Sequence, residues 1–128
     1  MIVVDTHAWI WWMDDPAKLS RKARTTLNEE DEICLSAISC WELGMLTAKG
    51  RLQLDRDVLL WIRQSLAKPK MTLIPLLPEI AVQATRLPQA FPGDPGDRII
   101  YSTARHLGVS LVTRDAQLRR HDPATTVW

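Results

Sequence analysis

Cysteine is scarce in this chain. Cys34 and Cys40 form neither a CxxC pair nor a disulfide framework, so the thiol pattern gives no sign of an oxidising compartment and both are expected to be reduced packing residues. The three histidines, His7, His106 and His121, have no ligand spacing with those thiols, which argues against a zinc site. Long apolar runs are also missing. The stretch Ala8 to Met13 is far shorter than the roughly 20 residues of a membrane span, and no basic segment precedes it as a signal peptide requires. No membrane role and a cytoplasmic location are therefore expected. Nor does one sign of charge dominate: 16 Lys and Arg face 15 Asp and Glu, a net charge of +1, so bulk charge alone does not point to a polyanion partner. Internal repeats and low-complexity segments are absent.

What remains is an ordinary globular composition, 46% hydrophobic and 24% charged, in a chain long enough for one core but not two. A single domain over residues 1–128 is expected. Ile2-Val3-Val4 reads as a buried parallel strand that stops at Asp5-Thr6. Ala8 to Met13 reads as a short helix stopped by Asp14-Asp15-Pro16, and Ser20 caps a second helix to about Glu30. Ile33 to Ala37 is a second strand. Ser39-Cys40-Trp41-Glu42 has the spacing of a capping box opening a helix to about Lys49. Further helices are predicted from Asp55 to Leu66, from Pro78 to about Leu87 and from Asp97 to Gly108, with strands at Thr72–Leu76, Ser110–Thr113 and Thr126–Trp128. A Pro- and Gly-rich linker spans Pro88 to Gly96. Strands alternating with helices imply an α/β fold, a mostly parallel sheet of four to five strands with helices on both faces.

In such a sheet the working crevice lies beyond the carboxyl ends of the strands. Asp5 and Asp115 each follow a strand, and Glu42 and Asp97 are read into the first turns of helices that begin at the same edge. Four acids facing one pocket repel one another unless cations are bound. Oxygen ligands suit Mg²⁺ or Mn²⁺, which assist phosphodiester displacement. Each acid also has a structural explanation: Glu42 can complete a box with Ser39, Asp97 one with Asp94, and Asp115 can cap a short last helix.

The segments Ile2-Val3-Val4-Asp5-Thr6-His7, Ser36-Ala37-Ile38-Ser39-Cys40-Trp41-Glu42-Leu43, Gly93-Asp94-Pro95-Gly96-Asp97-Arg98-Ile99-Ile100 and Leu111-Val112-Thr113-Arg114-Asp115, in that order, resemble a PIN domain, and more narrowly the VapC toxins of bacterial toxin–antitoxin pairs. The resemblance runs from residue 2 to about residue 120. It implies a Mg²⁺- or Mn²⁺-dependent endoribonuclease with an RNA substrate, a cognate antitoxin and a homodimeric state. By the same resemblance Asp5, Glu42, Asp97 and Asp115 form the acidic, metal-holding site, Asp94 is a further acid, and Thr6, Ser39 and Thr113 are supporting hydroxyls. Many relatives carry a histidine before the Asp-Pro step and an aromatic residue after it. This chain has Gly93 and Gly96 there.

Other functions fit less well. A phosphatase of the haloacid dehalogenase type needs an acid two residues after Asp5, where His7 stands. A phospho-acceptor receiver domain needs a paired acid beside the first strand. A degenerate PIN fold acting only as a binding module is a further alternative, although all four acids are intact. The apolar residues Trp9, Trp11, Trp12, Trp41, Leu43 and Leu46 are either core or part of a groove for a partner helix. Trp61 is expected in the core. Arg98 and Arg114 flank site residues and are candidates to meet phosphate. The basic runs Lys18, Arg21, Lys22, Arg24 and Lys49, Arg51, Arg56 either cradle a phosphate backbone or form solvated helix faces.

Overall fold

A computed structural model describes all residues, Met1–Trp128. Five strands, β1 (Ile2–Val4), β2 (Ile33–Ser36), β3 (Met71–Ile74), β4 (Leu111–Val112) and β5 (Thr126–Val127), form one sheet in the order β3-β2-β1-β4-β5. Every neighbouring pair is parallel, as the alternation of strands and helices predicts. The connections are the helices α1 (Thr6–Asp14), α2 (Arg21–Glu29), α3 (Ala37–Ala48), α4 (Val58–Leu66), α5 (Pro78–Thr85), α6 (Pro95–Leu107) and α7 (Ala116–His121), with a short 3₁₀ turn at Pro16–Lys18.

The period of two along the strands assigns each side chain to a face. Ile2, Val4, Ile33, Leu35 and Val112 pack with Trp9, Leu27, Leu43 and Trp61 on one side of the sheet. Val3, Cys34 and Leu111 pack with Ile100, Tyr101 and Leu118 on the other. Helices therefore cover both faces, which is why the three β1 residues are all apolar and all buried. The free thiols behave as packing residues, with Cys34 buried and its thiol pushed up by desolvation to about 11.

β1 runs on through α1 and α2 to β2 on one side, whereas β4 pairs with β1 on the other side. The carboxyl ends of β1 and β4 thus flank the point where the strand order reverses, the usual place for a ligand crevice in this architecture. Asp5 and Asp115 follow these two strands.

Several helix starts differ from the sequence expectation. α1 begins at Thr6, with Asp5 as its N-cap accepting from the Thr6 N–H. α3 begins at Ala37 directly after β2, capped by Ser36, whose hydroxyl accepts from the Ile38 N–H. The capping box expected between Ser39 and Glu42 does not form, because both lie inside the helix and Glu42 falls in its second turn. α4 is capped by Asp57, while Asp55 binds Arg56. α6 starts at Pro95, and there the reciprocal box between Asp94 and Asp97 is formed.

The tryptophans divide unequally. Trp9 is fully buried, its indole N–H donates to the Ser65 hydroxyl at 2.7 Å, and it meets Trp61 edge-on with centroids 5.1 Å apart. Trp9 and Leu43 are therefore core residues and take no part in the groove expected for a partner helix. Trp61 is core as predicted. Trp41 is 57% exposed, and with Met45 and Leu46 it lines a surface groove that also reaches Lys49, Arg51 and Glu42.

Candidate active site

Asp5, Thr6, Glu42, Asp94, Asp97 and Asp115 line one cleft of about 640 Å³, with His7, Trp11 and Arg114 at its borders. Chain segments far apart in sequence reach it for simple reasons. β1 and β4 deliver Asp5 and Asp115 at their ends, α3 brings Glu42 one turn into the helix, and the N-terminus of α6 carries Asp94 and Asp97.

Glu42, Asp94 and Asp97 come closest: one carboxylate oxygen from each lies within 4.8 Å of the other two. Asp94, given only a supporting place by the sequence, is thus part of the tightest cluster. Its cap spacing suggests an ordinary helix start, and the helix start is what brings it there. Asp115 lines the same cleft but lies outside this trio. Its Oδ1 accepts from the Gln117 and Leu118 N–H groups as the N-cap of α7.

Hydroxyls hold the carboxylates. Asp5 Oδ1 accepts from the Thr6 N–H at 2.8 Å, and Asp5 Oδ2 from the Thr113 hydroxyl at 2.7 Å. Thr113 Oγ1 in turn accepts from the Asp115 N–H at 3.1 Å. Thr6 Oγ1 lies 2.6 Å from Glu42 Oε1 and 2.8 Å from Ser39 Oγ. An ionised carboxylate only accepts, so Thr6 donates to Glu42 and Ser39 donates to Thr6. All three hydroxyl residues, Thr6, Ser39 and Thr113, are buried.

Glycine makes room for this packing. A Cβ on Gly96 would lie 2.8 Å from Glu42 Oε2, and one on Gly93, at φ +150°, would lie 2.7 Å from the Asp97 Cβ. At these two glycines, carboxylate side chains occupy the space that larger residues would fill.

The site is electrostatically unfavourable without cations. Desolvation is the largest influence on each of the inner acids. It pushes Asp5 up, with the Thr113 and Thr6 hydrogen bonds opposing, and pushes Glu42 up against the Thr6 hydrogen bond. Asp97 is pushed up to about 7 by desolvation and then by the charges of Asp5 and Asp94. Clustered oxygen ligands with depressed acidity are the donor set that hard divalent cations accept, so the residues present fit such an ion.

Arg98 does not face this cleft. Its guanidinium donates to the Ala84 and Pro88 carbonyls and lies 5.5 Å from the Phe91 ring centroid, so it braces the loop before α6 and is unavailable to phosphate. Arg114 borders the cleft, 5.3 Å above the Trp11 ring.

The chain is similar to known proteins over nearly its whole length. The PIN domain family model matches residues 2–123. Ribonuclease VapC22 of Mycobacterium tuberculosis is 42% identical over 129 residues, covering 99% of this chain and 98% of that protein. Among solved structures, DNA-bound VapBC from Salmonella typhimurium superposes with a TM-score of 0.72 at 16% identity, covering 98% of this chain and 95% of that one. VapC20 of Mycobacterium tuberculosis, a Sarcin-Ricin loop cleaving toxin, has a TM-score of 0.70 at 13% identity, covering 95% of each chain. A toxin-antitoxin complex from Klebsiella pneumoniae has a TM-score of 0.70 at 23% identity, covering 100% of this chain and 97% of that one.

Proposed function

The chain belongs to the PIN domain family, and we propose that within it this protein is a divalent-metal-dependent endoribonuclease acting as the toxin of a toxin–antitoxin pair. The observation that carries the reading is the convergence of the Glu42, Asp94 and Asp97 oxygens within 4.8 Å, in the cleft that Asp5 and Asp115 also line. The 42% identical relative is a ribonuclease, and solved neighbours of the same fold are toxin–antitoxin complexes.

Glu42, Asp94 and Asp97 would hold Mg²⁺ or Mn²⁺ together with Asp5 and Asp115, which line the same cleft. A divalent cation held there would supply Lewis acidity, which activates a water and offsets charge on the phosphodiester. The protein's own residues do the rest. Thr113 and the Thr6 N–H fix both oxygens of Asp5, and the Ser39–Thr6 relay fixes Glu42, so the carboxylates are oriented before a substrate arrives. His7 and Arg114 also line the cleft and would meet the RNA backbone.

The antitoxin is assigned to the groove of Trp41, Met45 and Leu46. It adjoins Glu42, so an apolar segment anchored there can place an Arg or Lys against the carboxylates and exclude metal. A homodimer is also proposed. The apolar surface available to it is Leu59 and Leu60 on α4, with Leu73 and Leu76 at the β3 edge, each between 44% and 54% exposed. Light scattering at micromolar concentration checks it. No helix is long and apolar enough to cross a membrane, and the proposed site of action is the cytoplasm.

The test is cleavage of total cellular RNA by purified, antitoxin-free protein with Mg²⁺ or Mn²⁺ and with chelator, followed by sequencing of the new ends. Metal-dependent cleavage that Asp5→Asn abolishes in a folded protein is expected. Cleavage retained in folded Asp5→Asn would overturn the site assignment. RNA binding without cleavage would instead make the chain a binding module.

A further inference from the structure

Adjoining the acidic cleft is a second feature that the cluster itself does not require. Trp11, at the cleft border, stands 5.8 Å from the His7 ring and 6.0 Å from Trp128, measured between centroids. The Arg114 guanidinium sits 5.3 Å above Trp11. Trp128 then lines a separate hollow of about 480 Å³ together with Lys22, Arg119 and Arg120, and that hollow has no acidic residue in its lining. Arg119 links the two regions by donating to the Arg114 carbonyl at 3.3 Å, while its Nε is buried without a partner.

The charges of these cations are not neutralised by carboxylates. The ion pairs of the protein are Met1 with Glu30, Lys18 with Asp15 and Arg56 with Asp55, so Lys22, Arg114, Arg119 and Arg120 have no carboxylate partner. Three of the basic residues noted in the sequence sort differently: Arg56 is held by Asp55 and Gln64, and Lys49 and Arg51 lie in the other groove. A row of aromatic faces interleaved with unpaired cations, continuous with a cleft that handles phosphodiesters, has the chemistry of a single-strand nucleic-acid path. Bases stack on the rings and phosphates lie against the cations.

We propose that the RNA strand flanking the scissile phosphate on one side runs from the acidic cleft over Trp11 and Trp128 into the Lys22, Arg119 and Arg120 hollow. The inference rests on the ribonuclease reading for its substrate. Trp11 and Trp128 act as stacking platforms, Arg114 bridges cleft and hollow, and the hollow holds backbone phosphate. The path makes binding sequence-tolerant along this stretch, because every base has a face to stack.

The experiment measures fluorescence anisotropy of a labelled single-stranded oligoribonucleotide of about 12 nucleotides, in chelator so that no cleavage intervenes, across a salt series. Lys22→Ala with Arg120→Ala changes two exposed side chains. The double variant is expected to weaken binding about tenfold and to flatten the log–log salt slope by about 1.4, roughly 0.7 for each phosphate left unneutralised. Trp128→Ala is expected to weaken binding about tenfold at an unchanged melting midpoint, since Trp128 also packs against the core, and Trp128→Phe to restore the affinity. Unchanged affinity and slope in the double variant overturn the path, as does failure of the wild type to bind the probe. If the double variant keeps its RNA affinity and instead loses antitoxin affinity, the surface is a protein-docking face and the proposal is wrong. Wild-type protein that binds the probe through these residues yet cuts no RNA with Mg²⁺ overturns the nuclease reading and leaves the path standing.

Discussion

Asp97→Asn should stabilise the metal-free protein, and the effect should grow with pH. The carboxyl titrates near its ordinary value in the unfolded chain but is pushed up to about 7 in the folded one, chiefly by desolvation and then by Asp5 and Asp94. Between about pH 4 and pH 7 the unfolded chain has therefore released a proton that the folded chain still holds, and folding stability falls as pH rises through that window. That difference between folded and unfolded chain corresponds to a ceiling of about 4 kcal/mol. Asp97 is only partly buried, so solvent screening reduces the figure to about 1–2 kcal/mol. The amide keeps an oxygen to accept from the Asp94 N–H, as Asp97 does at 3.1 Å, so the helix cap is preserved while the charge is lost. In thermal melts with chelator the variant should match the wild type near pH 4 and melt about 3–8 °C higher above pH 7. Added Mg²⁺ or Mn²⁺ should raise the wild-type midpoint, by about 3 kcal/mol of stability at a hundredfold excess over Kd, and should do little for the variant. A variant no more stable than the wild type above pH 7, or a gap that does not widen with pH, would refute the electrostatic account of the cleft.

Three further outcomes are expected. Thr113→Val removes a buried donor to Asp5 and the acceptor of the Asp115 N–H, and should lower metal-dependent cleavage by about 10- to 100-fold with a stability loss of about 1–3 kcal/mol, while Thr113→Ser recovers most of both, read by cleavage rates and denaturant melts. Gly96→Ala places a Cβ 2.8 Å from Glu42 Oε2 and should reduce cleavage at least tenfold, as displacements near 1 Å in a catalytic group do, with an unchanged circular dichroism spectrum. Trp41→Ala, at an exposed position, should weaken antitoxin binding by calorimetry by at least about 2 kcal/mol if it is an anchor, and binding as tight as wild type would remove the groove from the interface.

The sheet is legible in the sequence because each strand is a short apolar run followed at once by a polar or acidic residue, and Ile2-Val3-Val4 before Asp5 is the plainest case. Helix starts are harder to place. Ser36, Ser39 and Glu42 offer two overlapping cap readings, and what decides between them is that β2 passes into α3 with no intervening loop. Trp9 and Trp41 cannot be separated by residue type or local periodicity: Trp9 is enclosed by Trp61 and Ser65, which are distant in sequence, with a separation of 56 residues for the Trp9–Ser65 bond. The place of Arg98 escapes the sequence for a similar reason, since its partners Ala84, Pro88 and Phe91 belong to a segment whose path local patterning does not determine. The identities of the acids are readable, but the closeness of Asp94 to Glu42 is not, because it depends on the space left by Gly96.

The capping and catalytic explanations of the acids, which compete at the level of sequence, are one arrangement in three dimensions. Asp5, Asp94 and Asp115 are the N-caps of α1, α6 and α7, and those helices begin at the same edge of the parallel sheet. Each cap engages backbone N–H groups where the helix dipole is positive, so helix ends hold the acids together and offset part of their repulsion. The compensation is incomplete for Asp5, Glu42 and Asp97, all of which stay pushed up. Glu42, deeper in α3 and without a backbone donor, relies on Thr6 alone. A parallel sheet that starts its helices at one edge thus supplies enough positive potential for the acid cluster to fold, yet leaves enough negative charge unanswered to attract a cation.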